Sequence, residues 1–176
     1  MSNSATLYLG FEGVLHPNLV SFYGQRLPRL RAAGHALFEN NSILKSVMDA
    51  HPDTSIVLHN WWVPLVGYRA AIEMLPASVR PKIIGATWRS IKGPRSRLRM
   101  ARTRRAWLEE DLWRRCPDHP VLLDCDFGQA VAALADCSCI VDELHGLAAV
   151  GASDRLARLL KVSVAEGEVL AIASAS

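Results

Sequence analysis

Polar side chains follow three short apolar runs of this chain, at the points where each run ends. The runs are Thr6–Phe11, Ser55–Leu58 and Val121–Leu123. Glu12 follows the first run, His59 and Asn60 follow the second, and Asp124 and Asp126 follow the third. Carboxylates and imidazoles in such places could transfer protons, hold a metal ion or contact a phosphate.

Each of these residues has a chemical interpretation and a structural one. Asp124 and Asp126 are hard oxygen donors suited to Mg²⁺, although two ligands from one loop would leave the ion mostly hydrated and weakly bound. The alternative is a pair of carboxylates that cap a loop. Glu12 could act as a general acid and base, or lie as a solvent-facing carboxylate beside a tight turn. His59 could donate to a phosphate when protonated, or pack as a pocket-lining ring against Trp61.

The apolar runs alternate with helical patterns, which is typical of βαβ units in one parallel sheet. The predicted strands are Thr6–Phe11, Ser55–Leu58, Lys82–Ile84, Val121–Leu123 and Cys139–Val141. The predicted helices are Ile43–Ala50, Trp61–Leu75 with a break near Pro64 and Gly67, Ser96–Arg115, Gln129–Leu134 and Asp154–Leu160. Because open α/β sheets bind ligands at the carboxyl ends of their strands, we expect the polar residues above to meet at one edge.

A chain of 176 residues, half of them hydrophobic, is long enough for one domain with its own core. We therefore predict a single domain over residues 1–176, with a loop or small cap insertion at 18–35 and a frayed tail at 171–176. No stretch reaches the roughly 18 apolar residues of a membrane helix, and Met1–Thr6 has no secretory pattern. The four cysteines lack the spacing of a disulfide framework, so we expect reduced thiols in the cytoplasm. Because no long apolar stretch is present, we expect no membrane partner.

Several segments of the chain resemble the haloacid dehalogenase (HAD)-like domains. Residues 8–17 (YLGFEGVLHP) resemble the DFDGVLHP signature that opens these domains, and more narrowly are similar to the HAD domain of Swiss Army Knife RNA-repair proteins. Residues 51–62 (HPDTSIVLHNWW), 75–87 (LPASVRPKIIGAT), 121–126 (VLLDCD) and 141–147 (VDELHGL) resemble further segments of that branch, in the same order. The resemblance implies a three-layer Rossmann-like α/β fold, with a central, mainly parallel sheet of about five strands and at most a minimal cap.

The resemblance also implies where the chemistry of active members lies, and the chain departs from the family there. In active members the first aspartate of the opening motif attacks phosphorus and binds Mg²⁺, while the second acts as general acid and base. Gly10 and Glu12 stand in those two places. Glycine offers neither a nucleophile nor a metal ligand, so covalent phosphoryl transfer by the family route cannot occur at this site. Glu12 keeps a carboxylate on a longer stem, so proton transfer stays open to it.

The phosphate-binding residues that the resemblance implies are altered as well. His59 replaces the hydroxyl residue that follows the second strand, and Val63 replaces an arginine after the retained Trp62. We predict that Gly10, Asn60 and Trp62 contribute to the ligand site. The basic phosphate clamp of the family could come from any of three arginines, which are Arg97, Arg102 and Arg105.

Two hypotheses of function follow from these residues. In the first, the chain is a degenerate HAD domain without phosphatase activity, a ligand-binding or protein-interaction module whose partner is a protein or a phosphorylated ligand. In the second, it is a HAD-derived hydrolase or lyase acting on phosphorylated or nucleic-acid substrates. There Glu12 would activate water beside a weakly bound Mg²⁺ held by Asp124 and Asp126. The combined loss of nucleophile, hydroxyl and arginine favours the first hypothesis.

Positive charge is concentrated in one segment of the chain. Lys82–Arg115 holds eleven of the 20 Lys and Arg residues, whereas the whole chain has a net charge of only +3. Such a block could attract phosphates or nucleic acid through its field. The alternative, which we favour, is the solvated face of one arginine-rich helix.

Overall fold

The computed structural model describes residues 4–22, 28–90 and 102–161 of the chain. The strands are β1 (Ala5–Leu9), β2 (Val20–Ser21), β3 (Arg29–Leu30), β4 (Ser55–Leu58), β5 (Ile83–Ala86), β6 (His119–Asp124) and β7 (Ser138–Ile140). The helices are α1 (Asn41–Ala50), α2 (Trp62–Val66), α3 (Tyr68–Glu73), α4 (Arg104–Arg115) and α5 (residues 152–161). Short 3₁₀ turns lie at Arg80–Lys82, Phe127–Gln129, Ala132–Cys137 and Gly146–Ala148.

Five parallel strands form the central sheet, in the order β5-β4-β1-β6-β7. Strand β1 lies in the middle, and its last residue, Leu9, is level with Leu58 of β4 and with Leu123 of β6. The polar segments that follow these three strands therefore leave the sheet side by side. The predicted α/β fold with about five mainly parallel strands is confirmed.

Both faces of the sheet are covered, which is why its strands are almost continuously apolar. Leu7 and Leu9 of β1 belong to one buried cluster, together with Leu44 of α1. Tyr8 belongs to a second cluster, together with Leu108 of α4. Because side chains alternate along a strand, these two clusters lie on opposite faces of the sheet, with helices on both sides of it.

Most of the predicted helices are present, and one is wrong. Gly67, at φ +99°, separates α2 from α3 at the predicted break. The single helix predicted over Gln129–Leu134 is absent, because Ala130 and Val131 have extended backbone and divide that stretch into two 3₁₀ turns.

Helix α4 begins later than the pattern of apolar residues predicted. Thr103 caps it, because its Oγ1 accepts a hydrogen bond from the Ala106 N–H at 3.2 Å. The predicted start at Ser96 lies outside the described residues, as do residues 97–101. The cap at Thr103 places the first turn of α4 beside the carboxyl ends of the strands.

The predicted loop or cap insertion at residues 18–35 contains a small hairpin, in which β2 and β3 pair antiparallel. Phe22, just after β2, packs against Trp62 with ring centroids 5.7 Å apart, so the hairpin reaches the carboxyl ends of the sheet. The predicted tail at residues 171–176 lies outside the described part of the chain. No helix that the structure describes has the length and apolar character needed to span a membrane.

Candidate functional site

A cavity of about 690 Å³ opens at the carboxyl ends of the central strands. Its walls come from the segments after β1, β4 and β6, from the hairpin and from the start of α4. The residues that line it include Glu12, Phe22, Trp61, Thr103, Arg104, Asp126 and Phe127. The cavity therefore lies where the strand order of an open α/β sheet predicts a ligand site.

Arg104, which lines this cavity, forms a buried ion pair with Asp124, which lies behind the lining; we call these two residues the floor pair. Arg104 Nη1 donates to Asp124 Oδ2 at 2.7 Å, and Nη2 donates to Asp124 Oδ1 at 3.2 Å. Nη1 also donates to the main-chain oxygen of His59 at 3.1 Å. The side chains of Arg104 and Asp124 are only 13% and 1% exposed. Two-pronged arginine–carboxylate contacts of this kind are among the strongest hydrogen-bonded pairs in proteins.

The register of α4 explains how Arg104 reaches the sheet. Trp107, Leu108 and Asp111 are the buried residues of this helix, and Arg104 precedes them at helical spacing. Arg104 therefore begins the same face, at the end nearest the cavity. Asp111 holds the middle of the helix to the sheet, because its Oδ2 accepts a hydrogen bond from the Tyr8 hydroxyl of β1 at 3.1 Å.

Two of the three arginines predicted as a phosphate clamp, Arg102 and Arg105, are not among the residues that line the cavity. Arg97 lies outside the described residues. Arg102 and Arg105 are about half exposed, and each pairs with a carboxylate on α4. The partners are Glu110 at 3.3 Å and Glu109 at 3.2 Å. Arg104, which was not among the predicted candidates, is the described arginine that lines the cavity.

Gly10 approaches the ion pair from the end of β1. A Cβ atom at this position would lie 2.8 Å from Asp124 Oδ2 and 3.2 Å from the main-chain oxygen of Leu123. The Gly10 N–H donates to that same oxygen at 2.9 Å, which ties this segment to β6. Any side chain at position 10 would therefore require Asp124 or the backbone to move.

Glu12 is a largely buried carboxyl group in the cavity wall. Burial raises the pKa of Glu12 to about 7, although Arg104 favours its ionised form. Its Oε1 atom is buried and has no hydrogen-bond partner within the described part of the chain. The turn that follows is made by Gly13, whose φ is +70°. At neutral pH this side chain can both accept and release a proton, as a general acid and base must.

His59 lies in a buried hydrogen-bond network behind the cavity. Its Nδ1 lies 3.1 Å from the Thr87 hydroxyl and its Nε2 lies 3.3 Å from Gln129 Oε1. Because Gln129 Nε2 donates to Asp126, its oxygen faces His59, and Nε2 of the imidazole carries the proton. Burial and the nearby Arg104 guanidinium lower the pKa of His59 to about 4. The ring is therefore neutral near pH 7, and it does not line the cavity.

Trp62 and Asn60 are buried beside the site rather than in its lining. Trp62 is 1% exposed. The rings around it, at centroid distances of 5.0 to 6.1 Å, are Phe11, His16, Phe22 and Phe38. Asn60 Oδ1 accepts a hydrogen bond from the Val63 N–H at 3.2 Å, at the start of α2. Trp61, by contrast, lines the cavity and packs its ring on Trp107 at 4.7 Å.

Asp126 turns back into its own loop. Its Oδ1 accepts from the Gly128 N–H at 2.8 Å, and its Oδ2 accepts from Gln129 Nε2 at 2.8 Å. The hydrogen bond from Gln129 lowers the pKa of Asp126. The carboxylate thus caps the turn Phe127–Gln129, which is the structural alternative that the sequence had left open.

A scan against protein-family models matches residues 6–149 to the HAD domain in Swiss Army Knife RNA repair proteins. The chain belongs to this HAD family. The matched residues include every segment that carries the cavity and its floor pair, Arg104 and Asp124. Searches of the curated proteins and of the solved structures found no match.

HAD domains generally use Mg²⁺, and the contacts of this HAD domain do not fit such an ion. Both oxygens of Asp124 and both of Asp126 already accept hydrogen bonds, and the guanidinium of Arg104 covers Asp124. Gly10 offers no side-chain oxygen. The described residues contain no group of three or more His, Cys, Asp or Glu side chains that could hold a metal ion. A magnesium ion at Asp124 would first have to displace Arg104.

Proposed function

We propose that this HAD domain does not hydrolyse phosphoesters by the covalent route of its family and instead binds a ligand in the strand-end cavity. The observation that carries the proposal is Gly10. It supplies no nucleophile at the place of the attacking aspartate, and Asp124 Oδ2 occupies the space into which a side chain would extend. Asp124 in turn is engaged by Arg104.

The size and lining of the cavity support a binding role. A volume of about 690 Å³ falls among those of small-molecule sites, which combine apolar walls with a few placed polar groups. Trp61 and Phe22 supply ring surfaces, and Phe127 stands at the rim with 79% of its surface exposed. Arg104 and Glu12 supply the polar groups. A phosphorylated ligand or a segment of a protein partner suits this arrangement.

We expect no Mg²⁺-dependent phosphatase activity above background on generic phosphoesters. Loss of a positioned nucleophile from a cooperative site costs about 10⁴ to 10⁶ in rate. The Gly10→Asp, Glu12→Asp double variant should also stay at background, because the new Cβ meets Asp124 at 2.8 Å and Arg104 still covers that carboxylate. Release of inorganic phosphate from p-nitrophenyl phosphate and from a 3′-phosphorylated oligonucleotide measures both.

The control for this assay is Asp124→Ala in the wild-type background. Background rates should be indistinguishable between wild type and Asp124→Ala, since neither protein has a nucleophile. Robust wild-type turnover that disappears in Asp124→Ala would refute the proposal. Activity restored fully by the double variant would show that Arg104 leaves Asp124 readily, which would refute the argument from the floor of the cavity.

Glu12 favours a second candidate function, that of an enzyme using this carboxylate as a general base. The supporting observation is its burial in the cavity wall with a pKa raised to about 7 and an unpartnered Oε1. Because the donor set does not fit a metal ion, this candidate depends on Glu12 itself. Turnover that rises with pH through about 7 and is lost in Glu12→Gln would favour it over the binding function.

The contacts of α4 support a solvated face rather than a nucleic-acid surface. Among the described residues, each arginine of this helix, and Arg102 just before it, contacts a carboxylate of the protein. The pairs are Arg102–Glu110, Arg104–Asp124, Arg105–Glu109, Arg114–Asp111 and Arg115–Asp111. Phosphates would have to compete with these carboxylates for the guanidinium groups.

We therefore expect only weak binding of single-stranded RNA near physiological salt. Fluorescence anisotropy of a labelled oligonucleotide at about 0.05 and 0.15 M salt measures it, with Arg102→Ala, Arg105→Ala as the test variant. Little change between wild type and variant is the expected result. Tight binding that falls steeply with salt and is weakened in the variant would instead establish the basic segment as a nucleic-acid site.

A further inference from the structure

We propose that Arg104 takes the place of the magnesium ion in this HAD domain, so that the cavity floor binds an oxyanion without any metal. The inference rests on the proposed binding function and names the chemistry of the ligand. That chemistry is a group with two oxygens sharing negative charge, as in a phosphate monoester or a carboxylate.

The position of the guanidinium is the first step of the argument. Asp124 belongs to the loop to which the family resemblance assigns a metal ion, and Arg104 contacts both of its oxygens, at 2.7 and 3.2 Å. The same guanidinium donates to the main-chain oxygen of His59, at the end of the strand two places away from β6. It is therefore a cation held between strand ends, as a bound metal ion would be, and it is part of the chain.

The second step is the number of N–H groups that Arg104 has left. A guanidinium carries five N–H groups in a planar fork. Three are used, two by Asp124 and one by His59. The other two, the Nε–H and the outer N–H of Nη2, lie side by side along one edge of the plane and have no partner within the described residues. An edge of this kind matches two oxygens of a phosphate or a carboxylate.

The other charged groups of the cavity do not occupy that edge. Asp126 directs its oxygens to Gly128 and Gln129, and Glu143 is exposed at the surface. Glu12 lines the same cavity with Oε1 unpartnered. The cap residue Thr103 also lines it, and the N–H groups of the first turn of α4, which have no partners within the helix, favour an anion there.

The test is calorimetric titration of the full chain with inorganic phosphate and, separately, with acetate, each in EDTA and in excess Mg²⁺. We expect at least one of the two anions to bind, with the same Kd in EDTA and in Mg²⁺. Tighter phosphate binding would identify a phosphate ligand, and tighter acetate binding a carboxylate ligand.

The variant for this test is Arg104→Gln, Asp124→Asn, because it removes both charges of the floor pair without leaving either one buried alone. This double variant should raise the Kd of the anion about tenfold or more, as expected when charge-assisted hydrogen bonds are lost. Arg158→Gln is the control, since Arg158 is exposed on α5 and does not line the cavity. It should leave the Kd unchanged.

Three results would overturn the proposal: binding that requires Mg²⁺, wild-type affinity in the Arg104→Gln, Asp124→Asn variant, or no binding of either anion. The wild-type titrations need no substitution, so a variant that fails to fold does not remove the test. This test and the test of the proposed function can fail separately. Phosphate release decides the proposed function, whereas the effect of Mg²⁺ on anion affinity decides the role of Arg104.

Discussion

Removing one charge of the Arg104–Asp124 pair should destabilise the fold by about 3–5 kcal/mol, because it leaves the other charge buried and unpaired. Arg104→Gln leaves the Asp124 carboxylate, which is 1% exposed, without its cationic partner. Asp124→Asn leaves the Arg104 guanidinium, which is 13% exposed, without its anionic partner. The double variant should be more stable than either single variant, since two neutral amides retain hydrogen-bonding capacity without a buried charge. Urea unfolding followed by tryptophan fluorescence gives the free energy of unfolding of all four proteins.

A surface pair on the same helix is the control for this prediction. Arg105 and Glu109 are 46% and 54% exposed, so Arg105→Gln should change the free energy of unfolding by no more than about 0.5 kcal/mol. If Arg104→Gln were as mild as Arg105→Gln, Asp124 would have to gain water or another partner easily. The floor of the cavity would then be open to a metal ion, and the argument for Arg104 as its replacement would fail.

The strands of this protein were predictable because a sheet covered on both faces needs nearly continuous apolar runs. Ser55–Leu58 was predicted to the residue, and the other central strands within a few residues. The position of the cavity followed from the same pattern, since parallel strands bring their carboxyl ends to one edge. The positions of these strands could be predicted because buried strands consist of apolar residues, which are visible in the sequence.

Arg104 was missed because a charged residue on a buried helix face breaks the pattern by which such faces are recognised. The apolar residues Leu108 and Leu112 indicated the buried side of the helix, but they did not indicate that a charged residue begins that side. The spacing of Arg104 to Trp107, Leu108 and Asp111 would have placed Arg104 on that side, had Asp111 been accepted as buried. Nothing local in the sequence marks the hydrogen bond from Tyr8 that keeps Asp111 in the interior.

The roles of Asp126 and Trp62 could not be separated from the sequence for different reasons. An aspartate two residues after a strand end is suited both to a metal and to capping the next turn, and only the positions of Gly128 and Gln129 decide between them. Trp62 lies on a helix of five residues, too short for a periodic pattern to show which side is buried. Its aromatic neighbours come from distant parts of the chain.

Acidification should destabilise this protein, with Glu12 opposing the effect of two histidines. Burial lowers the pKa of His16 and of His59 to about 4, from an ordinary value near 6.5. Between those values the unfolded chain binds protons that the folded chain does not. Each histidine therefore lowers the free energy of unfolding by about 3 kcal/mol as the pH falls from 7 to 4. Burial raises the pKa of Glu12 to about 7 from 4.5, so the folded chain holds a proton there and gains about 3 kcal/mol over the same range.

Between pH 7 and pH 4 these three residues together should lower the free energy of unfolding of the wild type by about 3 kcal/mol. In Glu12→Gln, which lacks the opposing effect of Glu12, the free energy of unfolding should fall by about 6 kcal/mol. The measurement is urea unfolding of both proteins across this pH range. The useful quantity is the difference between the two curves, because every other titrating group is common to both proteins and cancels. The difference should grow by about 3 kcal/mol from pH 7 to pH 4, with Glu12→Gln relatively more stable at the higher pH.

Parallel curves would mean that Glu12 titrates alike in the folded and unfolded chain. Its carboxyl group would then be solvated rather than buried in the cavity wall, and the general-base candidate would lose its support.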